Sequence, residues 1–165
     1  MILSVHTEET VFLEDAREVA QAINDALTAP SGDSDCDTIS FAYHKDRGPG
    51  HEASLTVTIN HESGYGGLVW YANGETAVRL AQTMGEEYAY TTWVSKASDP
   101  PSFDPKILSD PWNPAYMHRI SAVPIATLHS ALKEFCENGT GDRPGCIEWV
   151  EGNYDGTLLV DPDAG

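Results

Sequence analysis

The chain has 165 residues, of which 26 are acidic and 9 are lysine or arginine, so its formal net charge is −17 at pH 7. A chain of this length forms one domain with a full hydrophobic core and needs no metal or disulfide to fold. So dense a negative charge repels phosphate, which argues against electrostatic binding to nucleic acid or to anionic membranes and favours a cationic protein partner.

The N-terminus and the cysteines both indicate a cytoplasmic protein. Residues 1–6 lack the basic region and the apolar stretch of a signal peptide, and apolar runs such as 68–72 are too short to cross a bilayer. The cysteines, Cys36, Cys136 and Cys146, are odd in number and form no Cys-x-x-Cys pair. We therefore expect reduced thiols, no bound zinc and no cofactor.

The first predicted elements are a helix and three strands. Apolar residues recur at helical spacing over 13–27, with acidic residues on the other faces, and a Pro- and Gly-containing acidic segment at 28–35 ends this helix. Strands are predicted at 38–43, 54–60 and 67–72. Their connecting loops are too short for a crossover helix, and Asn73-Gly74 is typical of a tight turn, so the sheet is predicted to be antiparallel.

The middle of the chain is less regular. A short helix is predicted around residues 77–84, and aromatic and β-branched residues predict a strand at 88–94. The stretch 95–114 contains five of the ten prolines and fits no regular element. Loops this long inside a compact domain tend to be functional or disordered, and Phe103 and Trp112 argue for partial order.

The C-terminal third completes an α+β pattern. A strand is predicted at 115–120, a second helix from Pro124 to Asn138-Gly139, and a last strand at 146–150. The predicted fold is a single α+β domain over 1–150, mainly an antiparallel sheet with two principal amphipathic helices packed on it. Residues 151–165 are acidic, with no lysine or arginine, and are predicted to be a mobile tail.

The sequence shows no catalytic constellation. His51-Glu52 and His61-Glu62 lack a second histidine four residues on, which a helical zinc site requires. The glycine-rich stretch 64–67 leads into a strand rather than a helix, so it is interpreted as a hairpin turn and not a phosphate loop. No nucleophile elbow occurs, and Cys136 is predicted to face the core. We therefore expect the protein not to be an enzyme.

Four stretches carry a family resemblance. The segments 66–71, 119–125, the helix to Phe135, and 139–149 with its Arg143-Pro144 and Trp149 are similar to the first-numbered immunity family of bacterial polymorphic toxin systems. Together they span roughly residues 54–150. Pro124, Gly141, Pro144 and Trp149 are interpreted as determinants of the fold rather than of a binding site.

The resemblance implies a cytosolic α+β antitoxin that binds a toxin tightly, and toxins paired with this family often have the nucleic-acid deaminase fold. The chain has no Pro-Cys-x-x-Cys segment of the deaminase zinc site, so the resemblance implies the inhibitor and not the deaminase. An acidic surface that occupies the toxin's basic substrate groove in place of phosphate would explain the net charge.

The candidate binding residues are chosen from loop position, charge and aromatic character. In the 95–116 loop, carboxylates are expected to meet basic toxin residues and aromatic side chains to act as interface hot spots. A second acidic rim is predicted at strand ends. The alternatives are that the prolines and aromatic side chains of the loop close the core and that the rim glutamates are ordinary solvated carboxylates. The loop residues are Asp99, Asp104, Asp110, Trp112 and Tyr116, and the rim residues are Glu62, Glu75, Glu86 and Glu87.

Two other functions stay open on the sequence alone. One is an acidic binding module that regulates a different basic protein. The other is a small enzyme, which would need a pocket with convergent polar groups and a strongly perturbed carboxylate or histidine, whereas an antitoxin needs an exposed acidic patch.

Overall fold

The structure is a computed structural model that describes residues 1–28 and 36–163. The predicted turn-rich segment at 28–35 lies almost wholly outside them. The strands are β1 (Ile2–His6), β2 (Thr10–Leu13), β3 (Cys36–His44), β4 (Ala53–Asn60), β5 (Tyr65–Ala72), β6 (Trp93–Lys96), β7 (Leu108–Asp110), β8 (Ala115–Tyr116), β9 (Val123–Pro124) and β10 (Glu148–Glu151). The helices are α1 (Ala16–Thr28), α2 (Gly74–Met84), α3 (Glu86–Ala89) and α4 (Ile125–Asn138), with a 3-10 turn at Arg119–Ser121.

The described chain forms one large antiparallel sheet and a small hairpin. The large sheet has the strand order β10-β6-β5-β4-β3-β1-β2, with β9 paired to the start of β5, and the hairpin joins β7 to β8. Every strand pair is antiparallel. The three predicted central strands, the antiparallel arrangement and the α+β class are therefore confirmed.

One face of the sheet carries the main core. Because side chains alternate along a strand, Phe41, Leu55 and Trp70 from three neighbouring strands point to the same side and are fully buried. The helices α1 and α4 pack on this face and against each other, as their amphipathic patterns predict. Cys136 at the end of α4 is buried in this core, as predicted.

The other face of the sheet is only partly covered. Val69 and Val94 on the strands pack with Ile107 and Met117 from the segment around the β7–β8 hairpin. Towards β3 this face becomes polar, with cross-strand hydrogen bonds between hydroxyl side chains such as Ser40 and Thr56, 2.7 Å apart. The hairpin therefore packs on the part of this face around Val69 and Val94, and the polar area around Ser40 and Thr56 stays uncovered.

The N-terminal prediction is wrong in one respect. Residues 1–13 form the β1–β2 hairpin, so Leu13 belongs to a strand and not to the first helix. The helix begins at Ala16 because the Asp15 carboxylate accepts hydrogen bonds from the backbone N–H groups of Arg17 and Glu18, at 2.8 and 2.9 Å. Leu13 has the spacing of the apolar helix residues, but it lies before the helix start.

The predictions around residues 73–94 are mixed. The helix over 77–84 is confirmed as part of α2, but Asn73-Gly74 begins that helix and does not form a hairpin turn. The Glu52 carboxylate accepts a hydrogen bond from the Thr76 N–H at 3.0 Å, which stabilises the new helix start. The strand predicted at 88–94 is wrong over its first half, because 86–89 are helical and β6 begins only at Trp93.

The C-terminal third also differs in detail. The stretch 95–114 is not wholly irregular, since it contains the end of β6 and all of β7. The strand predicted at 115–120 ends after Tyr116, and the last strand begins at Glu148 rather than Cys146. The second helix is confirmed and ends at Gly139 with φ +66°, while Pro124 caps its start rather than lying in its first turn.

Candidate partner-binding surface

The β7–β8 hairpin presents Trp112 at its tip. The Asp110 carboxylate Oδ1 accepts hydrogen bonds from the backbone N–H groups of Trp112 and Asn113, at 2.9 and 3.1 Å, which closes the turn. The Trp112 residue is 94% exposed. The structure therefore places a large aromatic side chain in solvent on a backbone held by its own hydrogen bonds.

The base of this hairpin is attached to the sheet. The backbone N–H of Met117 donates to the Ile107 carbonyl at 3.0 Å, and both side chains are buried. The Asn60 amide, at the end of β4, donates to the Pro105 carbonyl at 2.9 Å. These contacts attach the lead-in and both arms of the hairpin to the sheet, and the tip with Trp112 extends beyond them.

Two of the predicted loop residues, Asp104 and Tyr116, both contact Lys106. Asp104 forms an ion pair with Lys106 at 2.7 Å, and hydrogen bonds from Lys106 hold the pKa of the Asp104 carboxyl below its usual range. The Lys106 ammonium also lies 5.9 Å from the ring centre of Tyr116, within cation–π range. Asp99 is exposed in the segment between β6 and β7. The structure thus brings Asp104, Asp110, Trp112 and Tyr116 together on one hairpin and its lead-in.

The four predicted rim glutamates do not form one continuous rim. The antiparallel register puts Asn60 and Tyr65 at one end of the β4–β5 pair and Ala53 and Ala72 at the other. All four glutamates are exposed. Glu62 lies in the turn at the first end, Glu75 follows the second end and pairs with Lys45 at 2.5 Å, and Glu86 and Glu87 lie in α3.

Arg143 lies in a cage of aromatic rings on the main-core side of the sheet, across the sheet from the β7–β8 hairpin. Its Cζ atom is 4.1 Å from the ring centre of Trp93 and 4.4 Å from that of Tyr88, with Trp149 and Trp70 at 5.6 and 6.0 Å. Burial lowers the pKa of its guanidinium, while a hydrogen bond with Tyr88 opposes that shift. The cage links α3, β5, β6 and β10 and is structural in character.

Hydrogen bonds from two indole groups hold the chain on either side of Arg143. The Trp149 indole N–H donates to the Pro144 carbonyl at 2.8 Å, and the Trp70 indole N–H donates to the Gly141 carbonyl at 3.1 Å. Gly141 has φ +74°, a conformation that favours glycine. These contacts agree with the interpretation of this motif as a determinant of the fold.

The uncovered polar area of the sheet contains a groove of about 550 Å³. In it the Ser4 Oγ lies 2.8 Å from the His44 Nε2, and the His44 Nδ1 lies 2.6 Å from the Gly50 carbonyl. Ser4 is 1% exposed and His44 is 8% exposed, and these two hydrogen bonds fix the imidazole ring between β1 and the segment that follows β3.

One group in the described part of the chain has the geometry to hold a metal ion. The ligand atoms of His118, Asp161 and Asp163 lie within 4.8 Å of one another. Asp161 and Asp163 are exposed, and Asp163 Oδ2 lies within hydrogen-bond distance of His118 Nε2, at 2.9 Å. The sequence analysis did not identify this group.

The fold and this surface are those of an α+β domain with an exposed aromatic and acidic hairpin. The family model described as "Immunity protein Imm1" matches residues 7–151, and the chain belongs to the Imm1 immunity protein family. This confirms the resemblance and extends it from residue 54 back to residue 7. Membership indicates a toxin-neutralising function with a cognate toxin as partner.

Neither the curated proteins nor the solved structures compared with the chain give a match. Among the described helices, none has the length and apolarity to cross a membrane.

Proposed function

We propose that this protein is a cytoplasmic, non-catalytic immunity protein that neutralises the nucleic-acid deaminase domain of a polymorphic toxin. It does so by covering the basic substrate groove or active site of the toxin with an acidic surface built around the β7–β8 hairpin. The observation that carries the proposal is Trp112, 94% exposed at a turn that Asp110 closes, in a family member with net charge −17.

The physical argument combines an aromatic anchor with electrostatic steering. Tryptophan is among the residues most enriched at interface hot spots, and a pre-formed turn reduces the entropy lost on binding. The surrounding carboxylates attract a cationic groove and accelerate association, an effect that salt screens. Asp99 is the carboxylate of the loop best placed for such steering, because Asp104 already pairs with Lys106 and Asp110 closes the turn.

A second function, an acidic module that regulates a different basic protein, predicts no protection against a toxin. We therefore begin with co-expression of the full chain and the toxin domain encoded by the adjacent gene. Growth rescue and a complex that weakens as salt rises support the immunity function. A chain that forms no complex with the linked toxin domain and gives no rescue contradicts it.

The hairpin is tested with a pair of matched tyrosine and tryptophan variants. W112A should weaken toxin binding by about 30-fold, on the order of 2 kcal/mol, because it removes an interface anchor. The control Y90A removes another exposed aromatic side chain, at the end of α3, and should change the affinity by less than about threefold. Equal affinities of W112A and the wild type would place the interface elsewhere.

The deaminase and the occlusion mechanism need their own readouts. The toxin domain should deaminate single-stranded nucleic acid, and one equivalent of this protein should abolish that activity. A fluorescent oligonucleotide should compete with this protein for the toxin domain, because both are proposed to occupy the same groove. A ternary complex of toxin, oligonucleotide and this protein would contradict occlusion.

A further inference from the structure

The C-terminal segment 152–163 has a defined conformation in the structure. Gly152 and Leu158 form an antiparallel bridge, and the Asn153 N–H donates to the Thr157 carbonyl at 2.8 Å. The Asp155 carboxylate accepts hydrogen bonds from both the N–H and the hydroxyl of Thr157, at 3.0 and 2.6 Å. The segment thus begins with a closed turn, and Leu158 packs on the cluster of Val69, Val94, Ile107 and Met117.

This turn is docked on the β7–β8 hairpin. The Ser109 hydroxyl donates a hydrogen bond to the Asp155 carbonyl. Gly156 has φ +77°, and a Cβ atom on it would lie 3.1 Å from Met117 Cγ and 3.4 Å from Ser109 Cβ. Only a residue without a side chain allows this approach without a shift of its neighbours, so the turn and the hairpin share a close-packed contact.

The far end of the segment is held beside the same hairpin. Asp163 Oδ2 lies 2.9 Å from His118 Nε2, two residues after β8. The segment therefore contacts the hairpin at Ser109 and the chain just after the hairpin at His118, while the Leu159 N–H donates to the Glu151 carbonyl at 3.4 Å, at the end of β10.

The hairpin and the segment together expose apolar side chains among carboxylates. Val160 is 80% exposed, and a single exposed valine on a protein surface is ordinary. The number of such residues on these elements is more notable, since exposed apolar surface is typical of interaction sites. They are Phe103, which packs on Tyr65 at one end of β5, Tyr154, which packs on Tyr71 towards the other end, and Trp112, Tyr116, Leu159 and Val160.

The same region has an acidic charge balance. Six aspartates lie on the hairpin, its lead-in and the segment, and the nearby basic residues are Lys106 and Arg119, with His118 paired to Asp163. The complementary face of a partner is therefore basic with an apolar recess. The aspartates are Asp99, Asp104, Asp110, Asp155, Asp161 and Asp163.

We infer that the segment 152–163 is part of the toxin-binding surface and supplies Leu159 and Val160 as apolar contacts in addition to those of the β7–β8 hairpin. The inference rests on the proposed function. Because the family match ends at residue 151, these contacts lie outside the matched part of the chain. The segment adds to the hairpin a second set of apolar contacts for the same basic toxin face.

The test compares two double variants of the full chain. L159S/V160S removes the exposed apolar side chains of the segment, and V78S/M84S removes two exposed apolar side chains of similar size from α2. Affinity for the toxin domain encoded by the adjacent gene is measured by calorimetry. We expect L159S/V160S to weaken binding by about tenfold or more and V78S/M84S by less than about threefold. Both variants should unfold at the wild-type urea midpoint.

The outcomes separate the two proposals. Weakened binding by W112A together with unchanged binding by L159S/V160S would overturn this inference and leave the hairpin interface standing. Unchanged binding by both variants would overturn both assignments of the interface, while growth rescue would still support the immunity function. Failure to form any complex would overturn the proposed function and this inference together. Hydrogen exchange gives a second readout, since toxin binding should slow exchange of the backbone amides of Leu159, Val160 and Asp161.

Discussion

The guanidinium of Arg143 lies against the indole of Trp93, with 4.1 Å between Cζ and the ring centre. Both residues also approach Tyr88, so one cation joins the short helix α3 to the strand β6 that follows it. Among the described residues the buried Nη1 of Arg143 has no hydrogen-bond acceptor. The ring faces therefore supply the favourable electrostatic environment that acceptors would otherwise provide.

We expect Arg143→Ala to lower the free energy of unfolding by about 2 kcal/mol, because it removes a cation–π contact and leaves a gap between aromatic rings. Arg143→Lys should recover only part of this loss, since an ammonium does not stack as a planar guanidinium does. Urea unfolding measures both changes. The control is Arg119→Ala at an exposed arginine, and a loss as large in that control would contradict the role of the cage.

Gly66→Ala should destabilise the β4–β5 pair. A Cβ atom at residue 66 would lie 2.5 Å from the Thr58 carbonyl oxygen and 2.7 Å from Leu128 Cδ1 on α4. Since the first of these atoms is backbone, relief requires a movement of the strand, and we expect a loss of about 2 kcal/mol in urea unfolding. Gly145→Ala, whose Cβ would lie 3.5 Å from the Glu134 carboxylate, should be nearly neutral. Equal effects at the two glycines would contradict this explanation.

Tyr43→Phe should loosen the end of α4. The Tyr43 hydroxyl donates its one hydrogen to the Cys136 carbonyl at 2.7 Å, with the Phe135 carbonyl also in reach at 3.2 Å, and burial raises the pKa of this phenol to about 12. The neutral hydroxyl thus satisfies carbonyls at a helix end, and its removal should cost about 1 kcal/mol of unfolding free energy. Tyr90→Phe is the exposed control. A wild-type urea midpoint for Tyr43→Phe would show that water replaces these bonds.

His51 should make the protein less stable in mild acid. Burial lowers the pKa of this imidazole, the nearby His44 lowers it further, and Glu52 opposes the shift; the ring also lies 2.7 Å from the Tyr71 hydroxyl. The unfolded chain takes up this proton near pH 6.5, where the folded protein resists it. The contribution to stability is therefore complete above pH 6.5 and is lost as the pH falls below it.

The measurement is the slope of unfolding free energy against pH below 6.5. We expect a shallower decline for His51→Gln than for the wild type, whatever its absolute stability. His129→Gln, at an exposed position in α4, is the control for the removal of one imidazole. A wild-type slope in His51→Gln would show that other groups cause the acid dependence.

The candidate surface could be found in part from sequence. Proline density and chain position directed attention to 95–116, and that stretch does carry the exposed Trp112 and the turn residue Asp110. The docking of residues 152–163 on the hairpin could not be predicted, because acidic composition has no periodicity that reports a contact. The only local signal was the pair Asp155-Gly156, which forms the turn that Ser109 holds.

By itself, the sequence determined the elements whose pattern is strong and local. The alternating apolar residues of β4, the helical spacing of α4 and the left-handed Gly139 that ends α4 were all readable, because each depends on neighbours a few residues away. The family motif around Arg143 was readable as well, and the match over 7–151 confirms it.

Only the tertiary structure decided the arrangements in which distant side chains meet. Leu13 lies in a strand because it pairs with Leu3 of β1. Residues 86–89 are helical, and Tyr88 in this helix packs against both Trp70 and Trp93. The cage around Arg143 likewise collects rings from positions far apart in the chain. Long-range packing decides these cases, because the energy of burying a side chain exceeds the local preference of its backbone.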